Sequence, residues 1–190
     1  MAPESVPPAA FLRAVAELTS VESRPEIVVT EAPAPGNLAP FAFALGGTVS
    51  RAGEEIATGR LILLHDPDGH DAWEGTQRLV TYVTAELEPE MAADPLIAAV
   101  AWSWLTDALE MHDATYRAPG GTVTTTASTR FGDLAPAPSS ADLEIRASWS
   151  PVDDRFAAHA HAWYALLASA AGLPPPGVTA LTTRGVSLGA

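Results

Sequence analysis

The segment 65–75, HDPDGHDAWEG, combines side chains that could bind a metal ion. Its candidate ligands are His65, Asp66, Asp68, His70 and Asp71. Carboxylates suit calcium, and imidazole suits zinc or nickel, but the spacing lacks the glutamate that completes an EF-hand. The same residue types are typical of turns, because Asp caps its own backbone, Pro presets φ and Gly accepts a positive φ. We therefore favour a polar turn without a cofactor, and a metal loop is the alternative.

Paired carboxylates form a second candidate site. Glu86 and Glu88 share one face of a predicted strand, about 7 Å apart, a spacing that could hold a water molecule or a divalent ion. A strand's wet face is also where glutamates belong, and a raised carboxylate pKa would require desolvation. The alternative is a metal-assisted or carboxylate-based enzyme, in which these glutamates and the 65–75 loop must meet around one cleft. No linear catalytic or nucleotide-binding motif is present, so we lean against an enzyme without excluding one.

Aromatic side chains and histidines offer a third possibility. His159 and His161 lie two residues apart in a predicted helix, so they project on nearly opposite sides and cannot share one metal ion. Trp102, Trp104 and Trp163 could line a pocket for a flat ligand. With an accessible His159, that pocket could bind haem or a porphyrin. Core packing is the competing explanation, and it favours a buried, hydrogen-bonded His159.

Hydrophobic periodicity predicts the elements that must position these residues. Alternating patterns such as QRLVTYVTAELE (77–88) and ADLEIRASWS (141–150) indicate strands with one wet face. The predicted order is α-β-β-β-β-α-β-β-α, an α+β fold with a largely antiparallel sheet and helices packed on one face. We expect a single domain over residues 8–181, with flexible termini at 1–7 and 182–190.

The helix after Asp94-Pro95 is the most informative element. Asp94 is predicted to be the N-cap, with proline at the first helical position. Its sequence, LIAAVAWSWLTDALEMH, is apolar around most of its circumference. Such a helix is buried on more than one side, so we expect a second subunit to cover part of it.

Composition narrows the classes of function. The chain has 190 residues and a net charge of −13, with ten arginines and no lysine, and this acidity argues against nucleic-acid binding. The absence of cysteine excludes disulfides and thiol chemistry. The N-terminal sequence does not resemble a signal peptide, and no apolar run is long enough to span a membrane. We expect a cytoplasmic protein.

Several motifs carry a resemblance to a known family. The run ELEPEMAADP (86–95), followed by WSWLTDAL (102–109), with LEIRASWSP (143–151) and AGLPPPGVTAL (171–181), resembles the actinobacterial DUF3000 family. Because that family has no known function, the resemblance implies lineage and a cytoplasmic setting but no catalytic residue.

Our leading hypothesis from the sequence is a non-enzymatic binding module that forms a homodimer and holds a partner protein or an apolar small ligand. It depends on the apolar helix, the charged fraction of only 17% and the missing catalytic motifs. The residues expected at a ligand or partner surface are Trp102, Trp104, Trp163, Arg78 and Arg146.

Overall fold

The computed structural model describes residues 6–134 and 140–175 of the chain. The helices are α1 (Ala9–Thr19), α2 (Pro89–Ala92), α3 (Ile97–Met111) and α4 (Phe156–Ala170). The strands are β1 (Ile27–Ala32), β2 (Phe41–Arg51), β3 (Glu54–His70), β4 (Gly75–Leu87), β5 (Tyr116–Ser128) and β6 (Ser140–Pro151). The predicted α+β class and order of elements are confirmed, with α2 as one additional short turn of helix. The flexibility expected at 1–7 and 182–190 concerns residues that lie, apart from Val6 and Pro7, outside the described part.

All six strands form one antiparallel sheet in the order β1-β2-β3-β4-β6-β5. The β2–β3 hairpin turns at Ala52 and Gly53, both with positive φ. Strand β6 pairs with β4 on one side and with β5 on the other, so it lies between two strands that precede it in the chain. Strand β5 is therefore left at the edge.

Helices α1, α3 and α4 form a single layer on the sheet's apolar face. Helix α4 lies against β1 to β4, while α3 packs beside α4 and reaches β5, and α1 packs on α4. One stripe of α4 is buried completely or nearly so, and it comprises Phe156, Ala160, Trp163 and Leu167. Helix α4 is followed by Gly172, which has a φ of +60° as a left-handed C-terminal residue requires.

Two cross-strand glycines allow α4 to approach the sheet. Gly47 on β2 pairs with Gly59 on β3, and both face the helix. A Cβ added at Gly47 would lie 2.9 Å from Leu167 Cδ1 and 3.0 Å from the Trp163 ring, and one at Gly59 would overlap Leu167. The missing side chains therefore create the space that Trp163 and Leu167 fill.

The start of α3 differs slightly from the prediction. Asp94 does not cap the helix itself, which begins at Ile97. Instead its Oδ1 accepts a hydrogen bond from the Leu96 amide at 2.9 Å, and its carbonyl accepts one from the Ile97 amide at 3.2 Å. Asp94 thus stabilises the turn that leads into α3. Among the described residues, no helix is long and apolar enough to cross a membrane.

Candidate functional site

The 65–75 segment does not gather its ligands. His65 points into the core, with 4% of its surface exposed, and its ring lies 6.0 Å from that of Phe11. Burial lowers the pKa of His65. The neighbouring residues 66–69 leave the β3–β4 ladder, and the Asp68 amide donates to Asp66 Oδ1 at 3.1 Å. Within the described ranges, no three His, Asp or Glu side chains are placed to hold a metal ion.

His70 and the following turn are held by local contacts. The His70 ring stacks on Trp73 at 5.1 Å, and its Nδ1 accepts a hydrogen bond from the Ala72 amide at 3.2 Å. Gly69 has a φ of +78°, as the turn chemistry of the sequence indicated. The geometry is therefore that of a folded turn, with His65 buried in the core and His70 exposed.

The carboxylate site requires a convergence that the fold does not provide. Glu86 lies near the end of β4 and Glu88 just beyond it, whereas the 65–75 segment ends at the first residue of the same strand. A strand of this length spans about 40 Å, so the two groups are far apart. Glu86 instead lies opposite Asp142 of β6 on the helix-free face of the sheet.

His159 is a core residue. Its exposed fraction is 0%, and its Nδ1 accepts a hydrogen bond from Trp149 Nε1 at 3.1 Å. Desolvation is the main cause that lowers its pKa to about 4, so the ring is neutral near pH 7. The haem hypothesis needed an accessible histidine, and His159 does not provide one.

The expected surface residues are only partly at the surface. Trp163 is completely buried in the slot above Gly47 and Gly59, so its assignment to a partner surface is corrected. Trp102 and Trp104 on α3 are half-buried. Arg146 keeps 65% of its side chain exposed, pairs with Glu144 at 2.7 Å, and lies over the Tyr82 ring.

Arg78 is a buried cation on the helix-free face. Its guanidinium donates to the Ala118 carbonyl at 2.8 Å, to Ser148 Oγ at 2.8 Å and to Ser150 Oγ at 3.1 Å. Desolvation lowers its pKa, although nearby Glu74 opposes that effect. Since Ala118 lies in the irregular part of the β5–β6 ladder, Arg78 joins β4 to the start of β5 and is not free for a partner.

Strand β5 forms one edge of the described sheet. Within the described residues β5 pairs with β6 alone. Residues 118–129 carry no charged side chain, and GTVTTTAS (121–128) contains no proline. The opposite edge, β1, has only six residues, includes Glu31 and is flanked by Pro25 and Pro33. Short strands, charges and prolines are the usual protection of an edge, and β5 lacks them beyond its irregular start.

Helix α3 provides an apolar surface beside this edge. The Trp102 ring lies directly over Gly121 of β5, where an added Cβ would be 2.8 Å from it. Near the start of α3, Leu96 is 63% and Val100 43% exposed, but both project to a different side of the helix from Trp102. The sequence predicted that something outside the domain covers this helix, and within the described chain these residues remain uncovered. We call β5 together with Trp102 of α3 the edge surface.

A second feature, which sequence reasoning missed, is a groove of about 370 Å³ beside the C-terminal end of α3. The rings of His112 and His161 stack at its wall with 5.5 Å between centroids. Ala165 and Ala168 of α4 line it, together with Tyr164 and the segment 173–175. We call it the α4 groove. The signal in the sequence was the stripe His161-Ala165-Ala168 at helical spacing, but the contribution of His112 required the tertiary structure.

Comparison with known proteins supports the resemblance seen in the sequence. The family model described as protein of unknown function (DUF3000) matches residues 7–179, which is most of the chain. The chain belongs to the DUF3000 family. No curated protein and no solved structure matched it. Membership therefore gives a family but no reaction or ligand, and the proposals below rest on geometry.

Proposed function

We propose that this DUF3000 protein is a non-enzymatic interaction module that pairs with a second copy of itself through the edge surface. The observation that carries the proposal is the edge of β5, which pairs with no second strand within the described residues, has no charged side chain from 118 to 128, and lies beside Trp102 of α3.

Strand pairing would use the backbone N–H and C=O groups of β5 that have no partner strand within the described residues. In an antiparallel pair of β5 strands, the amides and carbonyls facing away from β6 would bond to those of the second copy. Thr122, Thr124 and Thr126 point to the helix-free face, so threonines would lie opposite threonines, a favourable cross-strand combination. The sheet would then continue across a twofold axis, with the same surface used by both copies.

Charge distribution favours a second copy as the occupant. With a net charge of −13, two copies repel one another over most of their surfaces. Residues 118–129 of β5 and 95–106 at the start of α3 are free of charged side chains. Pairing there avoids direct contact between like charges. Trp102, which packs over Gly121 of β5, would supply apolar area on the helical side of the interface.

The test is a matched pair of lysine substitutions on the two sheet edges. Thr124→Lys places a charge on β5, and Thr30→Lys makes the same change at an exposed position on β1. Both positions lie on the helix-free face, opposite Glu144 and Gly46 respectively. Native mass spectrometry and light scattering over a concentration series give the dimer dissociation constant, and circular dichroism verifies folding.

We expect a wild-type dimer whose dissociation constant rises at least about tenfold in Thr124→Lys, which corresponds to ~1.4 kcal/mol. Thr30→Lys should match the wild type. A monomeric wild type at high micromolar concentration would refute self-pairing. A folded Thr124→Lys variant that dimerises as well as the wild type would place any interface elsewhere.

A further inference from the structure

The α4 groove lies apart from the free edge of β5 and has no role in strand pairing. It is bordered by the C-terminal end of α3, by α4, by the segment after α1 and by residues 173–175. Its volume of about 370 Å³ falls within the range of small-molecule sites, about 300–1,000 Å³.

Small side chains leave room for an apolar body. Ala165 and Ala168 lie about one turn apart on α4, where larger residues would fill the groove. Met111, Leu173, Pro174 and Pro175 complete the apolar part of the lining. Aliphatic and proline surfaces of this kind favour an aromatic or aliphatic group, because its transfer from water is favourable.

The polar groups of the groove favour a positive charge. Glu22 lines it, and none of the ion pairs within the described residues involves Glu22. The one arginine of the lining, Arg24, is already engaged by Glu26 at 2.8 Å and by the Pro174 carbonyl at 3.0 Å. An anion would therefore meet a carboxylate without a free cation to balance it.

His112 of the stacked pair adds a hydrogen-bond acceptor to the same wall of the groove. Burial, together with the proximity of His161, lowers the pKa of His112, while Asp113 opposes this effect. His112 is therefore neutral near pH 7 and keeps one ring nitrogen as an acceptor. Tyr164 completes this side, and its hydroxyl donates to the Val21 carbonyl at 3.3 Å.

We propose that the α4 groove binds a hydrophobic primary amine in its protonated form. Its apolar body would lie on Ala165, Ala168 and the prolines. Its ammonium group would be balanced by Glu22, with an imidazole of the stacked pair as a hydrogen-bond acceptor. The net negative charge of the protein would further favour the approach of a cation.

The test compares two probes of nearly equal size and opposite charge, 2-phenylethylamine and 3-phenylpropionate, at pH 7.5. Titration calorimetry gives affinities, and the imidazole NMR signals of His112 and His161 report the location. We expect the amine to bind at least about tenfold more tightly than the acid and to shift both histidine signals. Equal binding of the two probes, or amine binding without these shifts, would overturn the proposal.

Variants of the full chain sharpen the result. Glu22→Gln should weaken amine binding about fivefold or more, whereas Glu110→Gln, an exposed carboxylate of α3 that does not line the groove, should not. Ala168→Leu should block the groove, and Ala99→Leu at an exposed position of α3 is its control. Unchanged affinity in folded Glu22→Gln would contradict the role of the carboxylate even if Ala168→Leu failed to fold.

Discussion

Acidification should destabilise this protein through His159 before its carboxylates titrate. The ring is completely buried, and its Nδ1 accepts the indole N–H of Trp149, so the proton of the neutral ring resides on Nε2. Adding a second proton would place a charge inside the core. Desolvation lowers the pKa of His159 to about 4; Asp153 opposes this shift and Arg155 adds to it.

The size of the effect follows from proton linkage. The pKa in the unfolded chain is about 6.5, so the unfolded state takes up a proton between pH 6.5 and 4 while the folded state does not. The free energy of unfolding is therefore highest above about pH 6.5 and falls as the pH is lowered. From pH 7.5 to 5 the expected loss from His159 is about 2 kcal/mol, approaching ~3 kcal/mol near pH 4.

Urea denaturation of the wild type and His159→Gln at several pH values between 7.5 and 5 measures this effect. The glutamine oxygen can still accept the hydrogen bond from Trp149, but it does not titrate. His65 and His112, whose pKa values are also lowered by burial, are present in both proteins and cancel in the comparison. The stability difference between the two proteins should shrink or reverse by about 2 kcal/mol as the pH falls. A difference independent of pH would show that His159 titrates equally in the folded and unfolded states, which would refute its burial.

Two further predictions concern packing and the buried cation, and both are measured by chemical denaturation at pH 7.5. Gly59→Ala should destabilise the fold by about 1–3 kcal/mol, because the new methyl group overlaps Leu167 in a closed core. Gly46→Ala is the control; its Cβ would lie 3.6 Å from Ala32 Cβ, an ordinary contact, so stability should rise by up to about 1 kcal/mol. Equal changes in stability for Gly59→Ala and Gly46→Ala would mean that α4 does not pack closely on the glycine pair. Arg78→Leu should lower the free energy of unfolding by ~3 kcal/mol or more, because it leaves several buried acceptors without a donor. Its control is Tyr82→Phe on the exposed part of the same face, which should change the free energy of unfolding by less than about 0.5 kcal/mol. A mild Arg78→Leu variant would contradict the role of this side chain in holding β5 to β4.

Local patterns were sufficient for the elements and their buried faces. The alternation in 77–88 identified the inner residues of β4, among them Leu79, Val83 and Leu87, all of which are buried. In α4, the helical spacing of Phe156, Ala160, Trp163 and Leu167 likewise matches its buried face. Such features depend on side chains a few positions apart, and backbone geometry alone places those side chains on one face.

The order of strands could not be obtained in this way. Nothing local in ADLEIRASWS states that β6 inserts between β4 and β5, because pairing depends on contacts between residues far apart in the chain. Yet this insertion leaves β5 at the edge and so creates the surface on which the proposed self-pairing depends.

For the candidate sites too, some features follow from the sequence and others depend on tertiary packing. The sequence alone determined the acidity, the missing cysteine chemistry, the turn character of 65–75 and a helix that is apolar around most of its circumference. Only the tertiary structure decided that Trp163 fills a glycine slot, that Arg78 is buried, and that His112 and His161 meet at a groove. The physical reason is that residue type and periodicity determine which side of an element avoids water, whereas the packing of several elements determines which polar groups lose their water and which spaces remain open.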